Sequence, residues 1–422
     1  MRHTACHAVV IGAGLAGAAM CERLYARGWR VDLIEQHQEP AGEASGNHAG
    51  SFHPLIARDD NRLARLTQAG VAHALNYWRE LEAAGHSFSW SAGGALQLSR
   101  ADGKADPVAA LGVGRFAPDY ARHVSRGEAS DLAGVNLTSG GVWFGSGGWV
   151  QPASLVRAQL AHCASLAGSV AAGGRRFRTH FGREVAAAVQ HAGQWELADT
   201  RGHLIARAPV VVLAGGASGT LPQLFMQPVW PVESVRGQLS LFRSETIQAP
   251  RVPVHRDGYV LPVIEGRVVV GATYERAASQ SAEHANAANL ARLENILGLS
   301  VRARSGTETN RVIDSRVAYR AVARDRLPVI GALPDWRALD PAAVMRAGAR
   351  LHHLPRLPGV YVAGAYASRG LTWAGLAAEM LACQLEGATA PLAKDLLDAV
   401  DPARFALHAV RRGVAPQPSL TG

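Results

Sequence analysis

The chain has 422 residues, 48% of them hydrophobic and 18% charged, and a mean hydropathy of +0.01. This is a globular composition too long for one hydrophobic core, so two domains are expected. No apolar run reaches the roughly 18 residues of a membrane-spanning helix, so no membrane partner and a cytoplasmic location are expected.

The formal charge of +9 admits a nucleic-acid partner. Only Lys104 and Lys394 are lysines, however, so the arginine excess fits biased composition as readily as a binding face. Cys6, Cys21, Cys163 and Cys383 show neither CxxC nor Cys/His spacing, which argues against a disulfide frame or a metal site.

In chain order, "HAVVIGAG", "LAGAAMCERLYARG" and "WRVDLIE" predict strand, turn, helix and strand. The turn carries Gly12, Gly14 and Gly17 in G-x-G-x-x-G spacing. Such glycines permit a tight turn, close approach to a pyrophosphate and helix–strand packing, with the helix N-terminus facing the phosphates. Glu35, ending the second strand, is placed to accept hydrogen bonds from a ribose diol.

The next segment, "EASGNHAGSFHP", is too rich in small residues for a well-packed helix or strand, and Ser45 and Asn47 in it offer hydrogen bonds. Apolar residues at a helical period from Asn61 to Ala84 predict a helix. Short strands and glycine turns follow from Gly85 to Trp149, then a helix opening near Pro152. Further strands lead to the apolar "APVVVLAGG", containing Ala214 and Gly215. A β-rich stretch from Trp230 to about Ile330 holds one helix, near Ala285 to Leu297. Last come a strand "GVYVAGA", the turn Ser368, Arg369, Gly370, Leu371 and Thr372, expected to precede a helix, and a basic tail.

The glycine fingerprint serves NAD and FAD alike. Three nucleotide-fold pieces, hundreds of residues apart, return to one sheet, which resembles FAD enzymes of the glutathione-reductase-like superfamily. The expected class is α/β, with an FAD-binding Rossmann-like domain (1–84, 150–222 and 328–390) interleaved with a mixed, largely antiparallel β-sheet substrate domain (85–149 and 223–327). Residues 391–422 are read as a basic tail.

"ASGNHAGSFHP", "GGWVQPASL", "VRGQLS", "DGYVLPV", "YRAVARDRLPVIGALPDW" and "GAYASRGLTWAGLAAEML" together resemble the D-amino-acid-oxidase-type (DAO) family of FAD amine oxidoreductases. Within it they are most similar to the oxidoreductase half of bacterial enzymes that modify the wobble uridine of tRNA. The methyltransferase half found in those enzymes is expected to be absent, because the glycine fingerprint stands at the N-terminus. The chain departs from the family in having His48, Ala49 and His53 where Arg, Gln and Tyr are common.

The resemblance implies that Arg320 pairs with a substrate carboxylate, its alternative being an intramolecular salt bridge. Tyr259 is either a second hydrogen-bond donor to that carboxylate or a core tyrosine, and His53 lines the pocket or merely packs. Arg324 and Asp325 read as a structural pair within one turn. Ser45, Gly46, Asn47 and Gly50 form the floor of the flavin site, Val185 joins the cofactor contacts, and residues 368–372 turn backbone N–H groups toward the flavin. A non-covalent FAD is implied, because the cysteine that tethers flavin in sarcosine-oxidase-like relatives falls near Ala318.

The activity implied is oxidative removal of the carboxymethyl group from a carboxymethylaminomethyl wobble uridine, with dioxygen as acceptor and a separate methyltransferase as a further partner. Oxidation of a small free amino acid (glycine, sarcosine or a D-amino acid) is the alternative reading. A non-catalytic flavin-containing RNA-binding protein is a third. Arg175 to Arg178, the group Arg346, Arg350 and Arg356, and the group Arg404, Arg411 and Arg412 are candidate phosphate contacts or solvated faces.

Overall fold

The chain passes from one large sheet to another and back, twice, so that segments distant in sequence meet at a shared seam. The computed structural model describes residues 6–100, 107–112, 114–168, 176–228, 230–276, 281–298 and 312–413. Arg175 and the tail beyond residue 413 lie outside them.

The first sheet has six strands, in the order Val329–Pro334, Arg356–Gly364, Val210–Leu213, His7–Ile11, Arg30–Glu35 and Phe177–Phe181. Every pairing is parallel except that of the first two strands. The strand His7–Ile11 lies near its centre, and Ala8, Val9 and Val10 are fully buried, as a strand covered on both faces requires. Helices Leu15–Ala26, Pro152–Ala167 and Gly370–Glu386 share one apolar core with it.

The second sheet has eight strands: Asp314–Ala323, Val232–Arg243, Arg267–Gly271, Tyr259–Ile264, Val254–His255, Ala95–Leu98, Gly141–Phe144 and Ala121–Val124. It is antiparallel throughout except where Val254–His255 runs parallel to Ala95–Leu98. This is the α/β class expected from the sequence, with a parallel nucleotide-type sheet interleaved with a largely antiparallel one.

The predicted helix after the small-residue segment spans Arg62–Ala83, and the Asn61 side chain caps it by accepting from the Ala64 N–H at 3.0 Å. Trp78 on this helix meets Phe52 and Trp90 edge-on, at ring separations of 4.9 and 5.4 Å. Those two rings belong to a three-stranded sheet (Gly50–Phe52, Gly148–Val150 and Trp90–Ser91), so the tryptophan fastens the end of the small-residue segment to the core. Truncating a ring so buried costs about 3–5 kcal/mol.

Three expectations are corrected. The late helix starts at Ala282, three residues early, because Ser281 caps it through the His284 N–H. The long helix read over "SRGLTWAGLAAEMLACQLEG" spans Gly370–Glu386, so of the Ser368–Thr372 turn only Ser368 and Arg369 precede it and Gly370, Leu371 and Thr372 form its first turn. Asp325 is not held by Arg324: Arg404 grips both of its oxygens, at 2.7 and 3.1 Å, tying the C-terminal helix to the turn after the Arg320 strand.

Among the candidate phosphate contacts, Arg404 is thus occupied within the protein, and Arg356 makes a two-pronged pair with Asp401 at 2.7 and 2.9 Å. Arg346, Arg350 and Arg412 are exposed. No helix among the described residues is long and apolar enough to cross a membrane.

Candidate active site

At the seam between the sheets lies a cavity of about 1260 Å³. Its nucleotide end is built by the glycine turn. Gly12 has φ +105°, and a Cβ there would stand 2.7 Å from the Ala214 carbonyl oxygen, so only glycine fits between the two strand ends. Gly17 does not line the cavity. A Cβ on it would fall 1.8 Å from the Gly12 oxygen, so it lets the helix close onto the turn.

Glu35 is 8% exposed, and its carboxylate accepts from the Ala13 N–H at 2.7 Å and from the His37 N–H at 3.0 Å. It therefore locks the glycine turn to the strand end, a role the sequence did not suggest, while its remaining acceptor positions lie at the cavity wall. Val185, Ala214 and Gly215 line the same end.

The small-residue segment forms one wall. Ser45 Oγ accepts from the Leu15 N–H at 3.0 Å, capping the first helix from another part of the chain where Gly14 has no side chain to do so. Asn47 and Gly50 line the cavity; Gly46 does not, being wedged between the Ala41 carbonyl and the Arg316 guanidinium. Arg316 donates to the Gly42 and Glu43 carbonyl oxygens at 2.8 and 2.9 Å and so braces this wall from the second sheet. It stands four residues before Arg320 on one strand, hence on the same face, and that period-two relation was the sequence signal for it.

Of the three departures from the family pattern, His48 and Ala49 do not line the cavity. His48 Nε2 donates to the Ile264 carbonyl at 3.0 Å, and Ala49 is fully buried against Leu239 and Leu261. Both residues serve packing between the wall and the second sheet. Only His53 faces the cavity.

Arg320, Tyr259 and His53 are brought together, with His255 and Tyr274 beside them, which sequence reasoning missed. Arg320 lies across Gly237, where a Cβ would meet its guanidinium, and it donates to the Thr273 carbonyl at 3.1 Å. Thr273 is itself fixed, since its Oγ1 accepts from the Gln238 N–H at 2.9 Å and donates to Glu275 at 2.8 Å. Among the described residues Arg320 forms no ion pair, so the intramolecular salt bridge left open by the sequence is not made there.

Burial pushes the Tyr259 phenol up to about 12, with Arg320 pulling the other way, so the hydroxyl keeps its proton at neutral pH and can donate. Burial pulls the His53 imidazole down to about 4, opposed by its hydrogen bond to the Pro54 carbonyl and aided by Arg369. That bond, Nδ1 to oxygen at 2.8 Å, fixes the tautomer with the proton on Nδ1. The ring stacks on Phe144 and meets His255 edge-on at 4.6 Å. His255 is likewise driven well below its ordinary value by burial and then by His53, and its Nε2 is buried without a hydrogen-bond partner. Both imidazoles are neutral at pH 7.

Gly364 to Thr372 complete the cavity. Ala365 and Ala367 adopt left-handed φ of 56° and 49°, a strained path held in place where the Ala367 N–H donates to the Ala321 carbonyl at 2.9 Å. This links the segment to the Arg320 strand and aims the N-terminus of the Gly370–Glu386 helix at the cavity, where its first N–H groups lack intrahelical acceptors. Burial lowers the Arg369 pKa, reinforced by Arg326.

The residues present fit FAD. Gly12 and Gly14 present bare backbone to the cavity, Glu35 stands at the second strand's end, and two lining residues, Asn47 and Tyr366, bury a side-chain oxygen with no protein partner among the described residues. The glycine turn and first helix would hold the diphosphate, Glu35 a ribose, and the Ser45–Gly50 wall with the 370–372 N-terminus the flavin.

The model of a family described as DAO, FAD dependent oxidoreductase, matches residues 7–384. The chain is 43% identical over 416 residues to the tRNA 5-methylaminomethyl-2-thiouridine biosynthesis bifunctional protein MnmC of Burkholderia pseudomallei strain 668, covering 96% of this chain and 60% of that protein. It is 41% identical over 411 residues to the protein of the same name from Paraburkholderia phytofirmans, covering 96% and 61%. The chain thus spans about three fifths of the length of these relatives. Its fold is that of glycine oxidase from Geobacillus kaustophilus (TM-score 0.72, 19% identity, 94% and 98% of the two chains) and of iminodiacetate oxidase from Chelativorans sp. BNC1 (0.70, 21%, 92% and 97%). With a glycine turn, a terminal acid and a two-sheet seam that suit the cofactor, and a family match from residue 7 to residue 384, the chain belongs to the DAO family of FAD-dependent oxidoreductases.

Proposed function

We propose that this chain oxidises the carboxymethylaminomethyl arm of a tRNA wobble uridine, releasing glyoxylate and leaving the aminomethyl base. The observation that carries the reading is Arg320, a cation in the cavity wall with no ion pair among the described residues and a protonated tyrosine nearby. The arm is an N-substituted glycine. Its carboxylate suits a two-pronged guanidinium contact with a phenolic donor added, and that contact fixes the C–H bond beside the nitrogen. The name and identity of the Burkholderia relative support the same substrate.

Bound FAD supplies the two-electron acceptor. The protein supplies orientation through Arg320 and Tyr259, and a wall in which His53 and His255 are uncharged. A buried amine in such surroundings loses its proton more readily, which exposes the lone pair needed for oxidation. Water then adds to the resulting imine, and the C–N bond breaks to give glyoxylate and the primary amine.

On this reading residues 1–84, 150–222 and 328–390 serve the cofactor and 85–149 and 223–327 the substrate; the segment read from the sequence as a basic tail is instead, in its described part, two helices, Lys394–Val400 and Arg404–Arg411, packed on the body. The enzyme works in the cytoplasm, dioxygen would serve as electron acceptor, and a methyltransferase would act on the product amine. A second reading, oxidation of free glycine or sarcosine, draws on the same anchor, which needs only a glycine unit.

The test is anaerobic mixing of the holoenzyme with tRNA bearing the arm, and separately with glycine, sarcosine and D-alanine. Bleaching of the flavin absorbance by the tRNA at far lower concentration is expected. Bleaching by the small amino acids alone would replace the first reading with the second.

A further inference from the structure

Tyr274 and Tyr319 both line the cavity yet are 47% and 46% exposed, while Tyr259 and Tyr366 beside the same cavity are mostly or wholly covered. Of the two exposed rings, Tyr274 is the one with guanidinium groups over it among the described residues. A large ring left in water beside a reaction site is unused apolar surface. Its surroundings are cationic. The Arg320 guanidinium lies over the ring at 5.8 Å from its centroid, and that of the exposed Arg276 at 5.9 Å. The ring is held from behind by the chain itself, because Thr273 on one side and Glu275 on the other are bonded into the Gln238 and Arg236 strand.

We propose that Tyr274 is the platform on which the uracil ring carrying the arm stacks, with Arg276 beside it for the adjoining phosphate. This inference rests on the function proposed above and names the subsite that separates a polynucleotide from a free amino acid. Dimensions agree: the four bonds from the ring carbon to the arm's carboxylate span roughly 5 Å when extended. A base lying on Tyr274 can therefore place its carboxylate against Arg320 without entering the cavity. A free amino acid uses Arg320 and leaves Tyr274 idle. Stacking on an aromatic side chain is how unpaired bases are held without reading their sequence, and guanidinium groups near the ring add attraction for phosphate.

The test compares Tyr274→Ala and Tyr274→Phe holoenzymes with wild type, each first checked for unchanged FAD content and melting temperature. Three substrates are used in anaerobic flavin reduction: tRNA bearing the arm, the free nucleoside with the same arm, and N-ethylglycine, which has the arm's glycine unit but no base. For Tyr274→Ala the half-saturating concentration of both base-bearing substrates should rise about tenfold, with the limiting rate little changed and N-ethylglycine unaffected. Tyr274→Phe should behave as wild type, since the ring alone does the stacking.

An equal effect of Tyr274→Ala on N-ethylglycine and on the nucleoside, or no effect on either, would overturn the inference while leaving the proposed function standing. Failure of wild-type enzyme to be reduced by either base-bearing substrate would overturn both. A fall in FAD content in both variants would assign Tyr274 to holding the cofactor and overturn the stacking role.

Discussion

At the scale of single residues, Arg320 is distinguished by what it lacks. The paired arginines at positions 27, 236, 356 and 404 have carboxylate partners, whereas Arg320 has a backbone carbonyl on one nitrogen and open cavity beyond. Charge-assisted hydrogen bonds contribute about 1.5–3 kcal/mol each, so Arg320→Ala should lower kcat/KM roughly a hundredfold, with flavin content and fold intact. Arg320→Lys should recover only part of this, because an ammonium cannot form the two-pronged contact. Steady-state kinetics of the two variants check the prediction, and full turnover by Arg320→Ala would refute the anchor.

The histidine pair makes a second residue-scale prediction. His53 in the folded protein sits at about 4, below its ordinary 6.5. As pH falls from 6.5 toward 4, the unfolded chain takes up a proton there and the folded one does not, so stability present above pH 6.5 is progressively lost. His255 acts in the same direction. Chemical denaturation of His53→Phe between pH 7 and pH 4.5 should show a shallower loss than wild type. Equal slopes would contradict the assigned burial.

The sequence was legible at this scale wherever chemistry suggests a residue type: Gly12 and Gly14 in the turn, Glu35 at the strand end and Arg320, all singled out as candidates, line one cavity. Ser45 as a cap for Leu15, Arg316 as a brace, and His255 and Tyr274 at the wall were not. Each acts across the seam between segments far apart in sequence, and a single sequence carries no register between such segments. The same blindness hid the fact that His48 and Ala49 turn away from the cavity while His53 faces it.

At the scale of elements, local rules served well where an element is set by its own residues. Asn61 starts a helix because its side chain satisfies a free N–H, and Pro152 sits in the first turn of the helix Pro152–Ala167. The late helix was misplaced by three residues because Ser281, its cap, lay outside the apolar pattern used to find it. The first helix packs against the Gly370–Glu386 helix, where Arg27 binds both Glu379 and Glu386. It can do so only by closing onto the glycine turn through Gly17. Gly17→Ala would press a methyl group onto the Gly12 carbonyl and push this helix off the turn. Overpacking of that kind costs about 1–3 kcal/mol, so a melting temperature lower by several degrees and a reduced FAD content are expected. Thermal melts and flavin absorbance of the purified variant check it; unchanged values would show that the turn relaxes without loss.

At the scale of the whole molecule, interleaving places the site. The parallel sheet delivers the glycine turn, the acid and the Gly370 helix N-terminus, and the antiparallel sheet delivers Tyr259, His255, Tyr274 and Arg320. Neither sheet alone lines the whole cavity. The charge of +9 is less informative than it first reads, because Arg356 and Arg404 are consumed in fastening the C-terminal helices to the body. The most direct test of the account counts products in one anaerobic turnover of the holoenzyme with tRNA bearing the carboxymethylaminomethyl arm. One glyoxylate and one aminomethyl uridine are expected for each flavin reduced. Reduced flavin without glyoxylate, or no reduction by this tRNA while free glycine or sarcosine reduces the flavin, would contradict it.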